Sequence, residues 1–336
     1  MELLERADAL GSLDDLLAAS ASGGRIALVS GEAGAGKSAL VSAFMAAVGP
    51  RARVLQGSCD PLLTPRALGP LHDIARQVGG ALAERLAALA AHGRREPERR
   101  GRVFDALLDE LDGPPRRPRP VVVIEDAHWA DEATLDLTTF LGRRLGRCRA
   151  LLVLTYRDDE VGPGHPLHTV LAGLPRPLVR RLPLPPLSTT AVETLARRAG
   201  RSPAGLYQAT GGNPLLVTEV LAAAEPGVPP TVRDLVLARL AALSHAAREV
   251  AGLVSVVPSR AGSYLLDGEP ASAVDECLAR GVLVPAGNGV MFRHELLGRA
   301  VSESARRGTG QRGGRVPGAG RAGARRERGD VPARAA

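Results

Sequence analysis

The chain has 336 residues, of which 45% are hydrophobic and only 2% aromatic, and its formal net charge is +7. This length and apolar content allow two or three packed units and exclude a chain that is disordered throughout. The scarcity of aromatic residues argues against a base-stacking surface for RNA or single-stranded DNA. The N-terminus is charged at once and no apolar run is long enough to cross a membrane, so we expect a cytoplasmic protein.

The three cysteines, Cys59, Cys148 and Cys277, are scattered and show no C-x-x-C spacing. An odd number of isolated cysteines indicates neither a disulfide framework nor a zinc site. We therefore expect reduced and mostly buried thiols.

The first motif lies between a predicted strand at residues 25–30 and a predicted helix from Ser38 to Val48. It reads Gly31-Glu32-Ala33-Gly34-Ala35-Gly36-Lys37-Ser38, a complete match to the phosphate-binding loop G-x-x-x-x-G-K-[ST]. Lys37 is the only lysine of the chain. A compact ammonium can enter a ring of backbone N–H groups where a planar guanidinium is too wide. We predict that this loop binds ATP or ADP, with Lys37 on the β- and γ-phosphates and Ser38 on Mg²⁺.

Further strand-like runs alternate with helical stretches along the first half of the chain. They are residues 25–30, Val54 to Gly57, Val121 to Glu125, Leu151 to Tyr156 and Leu178 to Leu184. Nearly continuous apolar strands that alternate with helices favour a parallel sheet covered on both faces. We predict an α/β P-loop NTPase with a parallel sheet over residues 1–185.

Two carboxylates, Glu125 and Asp126, follow the β-branched run that begins at Val121. The C-terminal edge of a doubly wound sheet is where such folds place ligands, so the pair should face the nucleotide. We assign Glu125 mainly to Mg²⁺, directly or through water, and Asp126 to activation of the attacking water.

The second half of the chain is helical. Residues 186–228 form a predicted helical lid, in which Ser188 and Ser202 are candidate helix N-caps. Three amphipathic helices and two short strands around an Asn-Gly turn follow in residues 229–301, a pattern that suggests a winged-helix domain. The helices are Thr231 to Leu243, Ala246 to Val257 and Ala271 to Arg280, and the strands lie between Val282 and Phe292.

Residues 302–336 are rich in Gly, Arg, Ala and Pro and hold nine arginines against three acidic residues, which accounts for +6 of the net charge. Such a segment buries too little apolar surface to offset the entropy of ordering it, so we expect a disordered basic tail. Its abrupt onset also resembles a shift of reading frame.

Several motifs in order resemble those of the ATPase module of the large ATP-binding LuxR-type transcriptional regulators, signal-transducing (STAND) ATPases related to the AAA+ class. After the phosphate loop come Gly57 to Asp60, Thr64 to Leu71, Glu125 to Asp131, Leu154 to Asp158 and Gly211 to Leu215. The resemblance extends from the N-terminus to about Val301. It implies a switch that binds ATP and hydrolyses it slowly.

The resemblance also implies roles for three further residues. Arg157 corresponds to a sensor arginine that reports on the γ-phosphate, and Pro214 to a lid proline that packs on adenine. His294 is similar in placement to a histidine of related immune and apoptotic ATPases that contacts the β-phosphate of ADP. That contact would hold the winged helix closed in an inactive state.

The sequence departs from this family in two respects. Full-length members continue into a helical-repeat sensor and a DNA-binding helix-turn-helix, which this sequence lacks. The usual Gly-Arg-Glu near the start is represented only by Leu4-Glu5-Arg6, which weakens the case for adenine contacts there.

Three functions remain open at this stage. The preferred one is a nucleotide-switch module that acts through a protein partner or by self-association. The alternative is an origin-recognition-like AAA ATPase that binds DNA through its winged helix, and a third is a small-molecule phosphotransferase. Because residues 1–301 are nearly neutral, we expect no specific DNA contact.

This expectation predicts that any salt-sensitive binding of duplex DNA by the full chain is lost when residues 302–336 are deleted. The reason is that a basic tail binds phosphates without specificity. Electrophoretic mobility shifts at several salt concentrations would measure it. Binding that survives the deletion would favour the origin-recognition alternative.

Overall fold

A computed structural model describes residues 3–62, 64–91, 97–112, 117–224, 227–257 and 260–312. Its first half contains a five-stranded sheet in the order β2-β3-β4-β1-β5, in which all neighbouring strands are parallel. The strands are β1 (Arg25–Ser30), β2 (Ala52–Ser58), β3 (Arg119–Glu125), β4 (Leu151–Tyr156) and β5 (Val179–Pro183). The predicted α/β fold with a parallel sheet is confirmed, and each predicted strand overlaps an observed one.

Helices cover both faces of this sheet, which explains why the central strands β1 and β4 are buried on both sides. In β1, Ile26 and Leu28 belong to one core, whereas Ala27 and Val29 belong to the other. Two helices cover the second core: α1 (Ala7–Ala19) and α2 (Lys37–Val48). Five helices accompany the first: α3 (Gly69–Val78), α4 (Gly80–Ala91), α5 (Pro97–Leu111), α6 (Glu132–Arg144) and α7 (Pro166–Gly173).

Asp131, the last residue of the motif after β3, begins helix α6. Its side chain accepts hydrogen bonds from the backbone N–H groups of Ala133 at 3.0 Å and Thr134 at 3.2 Å, the geometry of a helix N-cap. It also accepts one from the N–H of Leu68 at 3.1 Å. Leu68 is a non-glycine residue with φ of +58°, a conformation that needs outside support. Asp131 therefore fixes two chain segments near the C-terminal edge of the sheet.

The remaining described chain is helical except for a small sheet. Three helices follow β5: α8 (Thr189–Arg198), α9 (Leu206–Thr210) and α10 (Pro214–Ala222). Ser188 caps α8 as predicted, by accepting from the N–H of Ala191 at 3.2 Å. Ser202 does not cap a helix, since α9 begins only at Leu206 after Gly205 in a left-handed conformation.

Residues beyond 229 form most of a further core, to which Leu216 of α10 and Val228 also contribute. They form α11 (Pro230–Ala241), α12 (His245–Ser255), β6 (Ala261–Gly262), α13 (Ala271–Ala279), β7 (Leu283–Ala286), β8 (Gly289–Phe292) and α14 (Glu295–Arg312). The three strands make an antiparallel sheet in the order β6-β8-β7. We call residues 229–312 the C-terminal unit. The winged-helix assignment and the three boundaries between the four predicted segments stay predictions.

The turn of the β7-β8 hairpin differs from the predicted Asn-Gly pair. Ala286 pairs with Gly289, so the two turn residues are Gly287 and Asn288. Gly289 lies inside the sheet, and β6 approaches it so closely that no side chain fits. A Cβ at this position would lie 2.0 Å from the carbonyl oxygen of Ala261. The third strand thus fixes the register, and the local sequence does not reveal it.

The last helix continues to Arg312, past Ser302, the first residue of the predicted disordered tail, so residues 302–312 are helical and that part of the prediction is wrong. Residues 313–336, the rest of that predicted tail, lie outside the described residues. Within the described part of the chain, no helix has the length and apolar character needed to span a membrane.

Replacing Asp131 with Ala should lower the free energy of unfolding by about 2 kcal/mol, because both the α6 cap and the tie to Leu68 are lost. Urea denaturation would measure this. Asp136→Ala is the matched control, since Asp136 lies exposed on the same helix and pairs only at the surface with Arg100. Equal effects of the two substitutions would contradict this role of Asp131.

Candidate functional site

The glycine-rich loop wraps around the side chain of Lys37. Gly34 and Gly36 have φ values of +83° and +90°, which favour glycine, and Gly36 precedes the first turn of α2. The ammonium of Lys37 donates hydrogen bonds to the carbonyl oxygens of Gly31 at 2.7 Å and Glu32 at 2.9 Å. Burial, together with the charge of Arg157, lowers the pKa of Lys37. A buried cation thus lies where the N-terminus of α2 adds its own positive potential, an arrangement suited to anions.

A cavity of about 410 Å³ opens beside this loop. Its polar side is formed by residues 33–39 together with Asp126 and Arg157. Its apolar side is formed by side chains from the N-terminal segment and from the helices after β5. These are Leu3, Leu4, Leu187, Leu195, Pro214 and Leu215, and Arg6 and Thr218 also contribute.

The cavity brings together most of the predicted site residues and leaves out four. Within it lie Ala33, Gly34, Ala35, Gly36, Lys37, Ser38, Asp126, Arg157 and Pro214. Gly31, Glu32, Glu125 and His294 do not line it. Gly31 and Glu32 still contact Lys37 through their carbonyl oxygens.

The two predicted carboxylates point in different directions. Asp126 lines the cavity and has φ of +54°, and its N–H donates to the hydroxyl of Thr155 at 2.9 Å. Burial raises the pKa of Asp126, whereas the charges of Arg157 and Lys37 lower it by less. Glu125 is buried and accepts a hydrogen bond from Nε2 of Gln56 at 2.5 Å. Asp126 is therefore the carboxylate that faces the cavity.

Arg157 follows β4 and reaches the cavity beside Asp126. Its guanidinium donates to Oε1 of Glu160 at 2.5 Å and lies 4.6 Å from the ring centroid of Trp129. These two contacts restrict the side chain, and a cation held over an indole ring is a favourable pairing. Trp129, whose role the sequence leaves open, supports Arg157.

His128 is buried between two carboxylates without a close contact to either. Its Nδ1 lies 3.9 Å from Asp126 and its Nε2 3.7 Å from Glu160. Neither ring nitrogen has a hydrogen-bond partner among the described residues. Burial lowers the pKa of His128 to about 3, with the charges of Arg157 and Lys37 acting in the same direction. The imidazole is therefore neutral at physiological pH.

The N-terminus of α10 is hydrogen-bonded to the phosphate loop through Asn213. The amide of Asn213 donates to Oε1 of Glu32 at 2.6 Å and to the carbonyl of Ala33 at 2.9 Å, while its oxygen caps α10. A Cβ on Gly34 would lie 2.7 Å from that oxygen, so the close approach requires glycine. Asn213 belongs to the motif Gly211 to Leu215, and nothing in that motif assigns a role to its side chain. Its role as the link between loop and lid appears only when residues 181 positions apart come together.

Glu32 also contacts the C-terminal unit. Its Oε2 lies 3.2 Å from Nε2 of His294 and 3.4 Å from Nη1 of Arg293. Burial raises the pKa of Glu32, but the hydrogen bonds and charges of His294, Asn213 and Arg293 outweigh burial and hold it at about 2. His294 is thus next to the phosphate loop but contacts a carboxylate of the loop.

The N-terminal segment joins the site through Arg6. Its guanidinium is buried and donates to the carbonyl oxygens of Ala35 at 3.2 Å and Pro185 at 2.8 Å. Glu5 accepts hydrogen bonds from the backbone N–H and hydroxyl of Ser188. Leu4 and Arg6 therefore form part of the cavity wall, and Glu5 ties the same segment to Ser188.

The lowered pKa of His128 predicts a specific pH dependence of stability. Below pH 6.5 the unfolded chain protonates this side chain and the folded chain does not, so stability falls as pH decreases towards 3. Between pH 6.5 and 5, wild-type protein should lose about 2 kcal/mol more than His128→Gln does. Denaturation curves at each pH would measure the difference. The control, His245→Gln, alters an exposed residue of α12 and should keep the wild-type dependence.

If His128→Gln and wild-type protein lose stability in parallel, the inferred neutral state of the imidazole is wrong.

Comparison with known proteins agrees with this geometry. Residues 2–154 match the family described as AAA ATPase domain. No curated protein matches the chain. Among solved structures, the Walker-type ATPase of Pyrococcus abyssi matches with a TM-score of 0.58 at 14% identity, over 89% of this chain and 96% of that chain. The ORC2 protein of Aeropyrum pernix, solved as ADPNP-ADP complexes, matches with a TM-score of 0.56 at 16% identity, over 92% and 96% of the two chains.

A STAND protein with a tetratricopeptide repeat sensor from Pyrococcus horikoshii is 18% identical, and the match covers 87% of this chain but 42% of that chain. The TM-score of this match is 0.37. The first two structures show the fold alone. Residues 2–154 are thus similar to AAA ATPase domains, and the chain has the fold of these P-loop proteins.

Proposed function

We propose that the chain is a nucleotide-switch ATPase module: it binds ATP with Mg²⁺, hydrolyses it slowly, and couples its nucleotide state to the position of the lid and the C-terminal unit. One observation carries this proposal. A single cavity has a cationic, loop-lined side next to an apolar side built from the helices after β5, and a nucleotide has a triphosphate and a base that match these two sides.

The residue roles follow from position in the cavity. The backbone N–H groups of the loop and the ammonium of Lys37 bind the phosphates. When they bind, Lys37 gives up its hydrogen bonds to the loop carbonyls and donates to phosphate oxygens. Pro214 and the leucines beside it cover the base. Arg157, held by Glu160 and Trp129, lies where it can compensate charge on the γ-phosphate.

The donor set fits Mg²⁺. This ion prefers hard oxygen ligands and is bound by one or two carboxylates together with substrate phosphates and water. The hydroxyl of Ser38 and the carboxylate of Asp126 line the same cavity. Ser38 would hold the ion directly and Glu125 through water, because Gln56 occupies the carboxylate of Glu125, while Asp126 stays available to the attacking water. The bound ion would neutralise charge on the phosphates.

Asp126 is the residue that receives the proton. A water oxygen attacks the γ-phosphorus, the bond from that phosphorus to the β,γ-bridging oxygen breaks, and ADP leaves with the bond electrons. The proton of the attacking water passes to Asp126, whose basicity burial increases. The neutral His128 behind it leaves the carboxylate free for this role.

The finer biological role rests on the order of motifs in the sequence. That order favours a regulator of the LuxR type, in which the module signals to a protein partner or to a second copy of itself. The near neutrality of residues 1–301 supports a switch over a DNA-binding role.

Lys37→Ala should weaken the binding of ATP with Mg²⁺ by at least about tenfold, because the buried cation that faces the phosphates is removed. Titration with a fluorescent ATP analogue would measure affinity. Arg147→Ala, at an exposed position after α6, is the matched control and should bind like wild type. Equal affinities of wild type and Lys37→Ala would refute the proposed site.

Asp126→Asn tests hydrolysis separately. This variant should still bind nucleotide but should release phosphate more slowly, by about 10²-fold or more, because the proton acceptor is lost.

The nucleotide content of the purified protein shows whether the module holds ADP. Wild-type protein should carry ADP after purification, and Lys37→Ala should have lost it. An acceptor metabolite that speeds ATP consumption would instead favour a phosphotransferase.

A further inference from the structure

Arg157 is shared between the nucleotide cavity and a carboxylate outside it. Its side chain lines the cavity, whereas Glu160 and Trp129, the two residues that contact its guanidinium, do not. Nη1 of Arg157 donates a hydrogen bond to Oε1 of Glu160 at 2.5 Å. Among the described residues, no other carboxylate forms an ion pair with this guanidinium. A phosphate in the cavity therefore meets a cation that already has an anionic partner.

The local backbone brings these two side chains together. After β4 the chain turns, and the N–H of Glu160 donates to the carbonyl oxygen of Arg157 at 3.3 Å. The other carboxylate oxygen of Glu160, Oε2, lies 3.7 Å from Nε2 of His128, a neutral imidazole that adds no charge attraction. Within the part of the chain that the structure describes, Arg157 is thus the one cationic partner of Glu160.

Trp129 holds Arg157 by a contact of another kind. The central carbon of the guanidinium lies 4.6 Å from the centroid of the indole ring. A cation–π attraction of this kind acts on the charge as a whole and requires no particular N–H group. The guanidinium has five N–H donors, and these are the groups that carboxylate and phosphate oxygens bind. Arg157 can therefore exchange one oxygen partner for another while it stays against Trp129.

The ion pair is weak enough to be exchanged. The side chains of Arg157 and Glu160 are 25% and 29% exposed, and pairs that water reaches contribute little to stability. Water can solvate the carboxylate of Glu160 once Arg157 leaves it. A γ-phosphate carries more negative charge than a carboxylate and offers three oxygens to the guanidinium. ADP has no γ-phosphate, so only ATP can replace Glu160 as the partner of Arg157.

We propose that Glu160 sets the preference of the site between ATP and ADP, because it competes with the γ-phosphate for Arg157. ATP gains its contact with Arg157 only when the ion pair is given up, whereas ADP binds with the pair intact. Glu160 therefore lowers the affinity for ATP and leaves that for ADP unchanged. This inference rests on the proposed nucleotide site and deepens it: a higher ratio of ATP to ADP is needed to fill the site with ATP.

The first experiment compares two nucleotides on the same protein. Titrations with ADP and with a non-hydrolysable ATP analogue, each with Mg²⁺, give the ratio of the two affinities. Glu160→Gln keeps the size of the side chain and removes its charge. It should bind the ATP analogue about threefold more tightly than wild type, the size of effect expected for a partly exposed ion pair, and ADP equally well. An unfolded fraction of the sample would not change this ratio.

Glu110→Gln is the matched control. Glu110 pairs with Arg53 at 2.9 Å, and the two side chains are 30% and 36% exposed, which is close to the exposure of the pair at Arg157. Neither Glu110 nor Arg53 lines the nucleotide cavity. This variant loses an equivalent charge in an equivalent ion pair, so its ratio of affinities should equal that of wild type.

The second experiment separates competition from simple repulsion of the phosphates. In Arg157→Met there is no guanidinium to compete for. Adding Glu160→Gln to this variant should therefore leave its ratio of affinities unchanged, so that the effects of the two substitutions are not additive. If Glu160→Gln raises the ratio equally with and without Arg157→Met, the carboxylate merely repels the nucleotide and the proposal is wrong.

Three other outcomes would also overturn the proposal. An unchanged or lowered ratio in Glu160→Gln, with both nucleotides bound, would mean that the ion pair only orders Arg157, and the proposed function would still stand. Loss of the cooperative melting transition in Glu160→Gln would mean that the fold itself requires the carboxylate. Failure of wild-type protein to bind either nucleotide would refute the proposed function and this inference with it.

Discussion

The site depends on one buried ammonium. Lys37 is 6% exposed and is held by two carbonyl oxygens of the loop that surrounds it. A cation can remain in such a place only where dipoles and anions compensate for lost hydration. Here the compensation comes from the loop carbonyls, from Asp126 and from the acidic residues after β4. The strands, the lid and the N-terminal segment all bring their polar groups to this point.

Much of the α/β unit follows from local sequence. The central strands β1, β3 and β4 are buried on both faces and nearly continuously apolar, so they were recognisable as short runs, and the strand before the glycine-rich loop gave the motif its expected setting. The position of Asp126 was predicted because a residue after a parallel strand lies at the ligand edge of the sheet. The different direction of Glu125 was not predicted, because it depends on Gln56 of a neighbouring strand.

Long-range contacts account for what the sequence did not reveal. The motif allows any residue at the position of Glu32. The contacts of the Glu32 side chain with Asn213 and His294 join positions far apart in the chain. The register of the β7-β8 hairpin similarly depends on β6, a strand of two residues with no pattern of its own. A motif identifies side chains that bind a common ligand, but not those that bind each other.

The side chain of Glu32 has a consequence for how such a module can change. A phosphate loop uses the backbone at this position, so nucleotide affinity places little demand on the side chain there. The same side chain is where the lid and the C-terminal unit meet the loop. A substitution at this one position can therefore change how firmly the lid and the C-terminal unit are held to the loop while the lining of the cavity stays the same. The attachment of the units and the composition of the cavity are separately adjustable properties of one short loop.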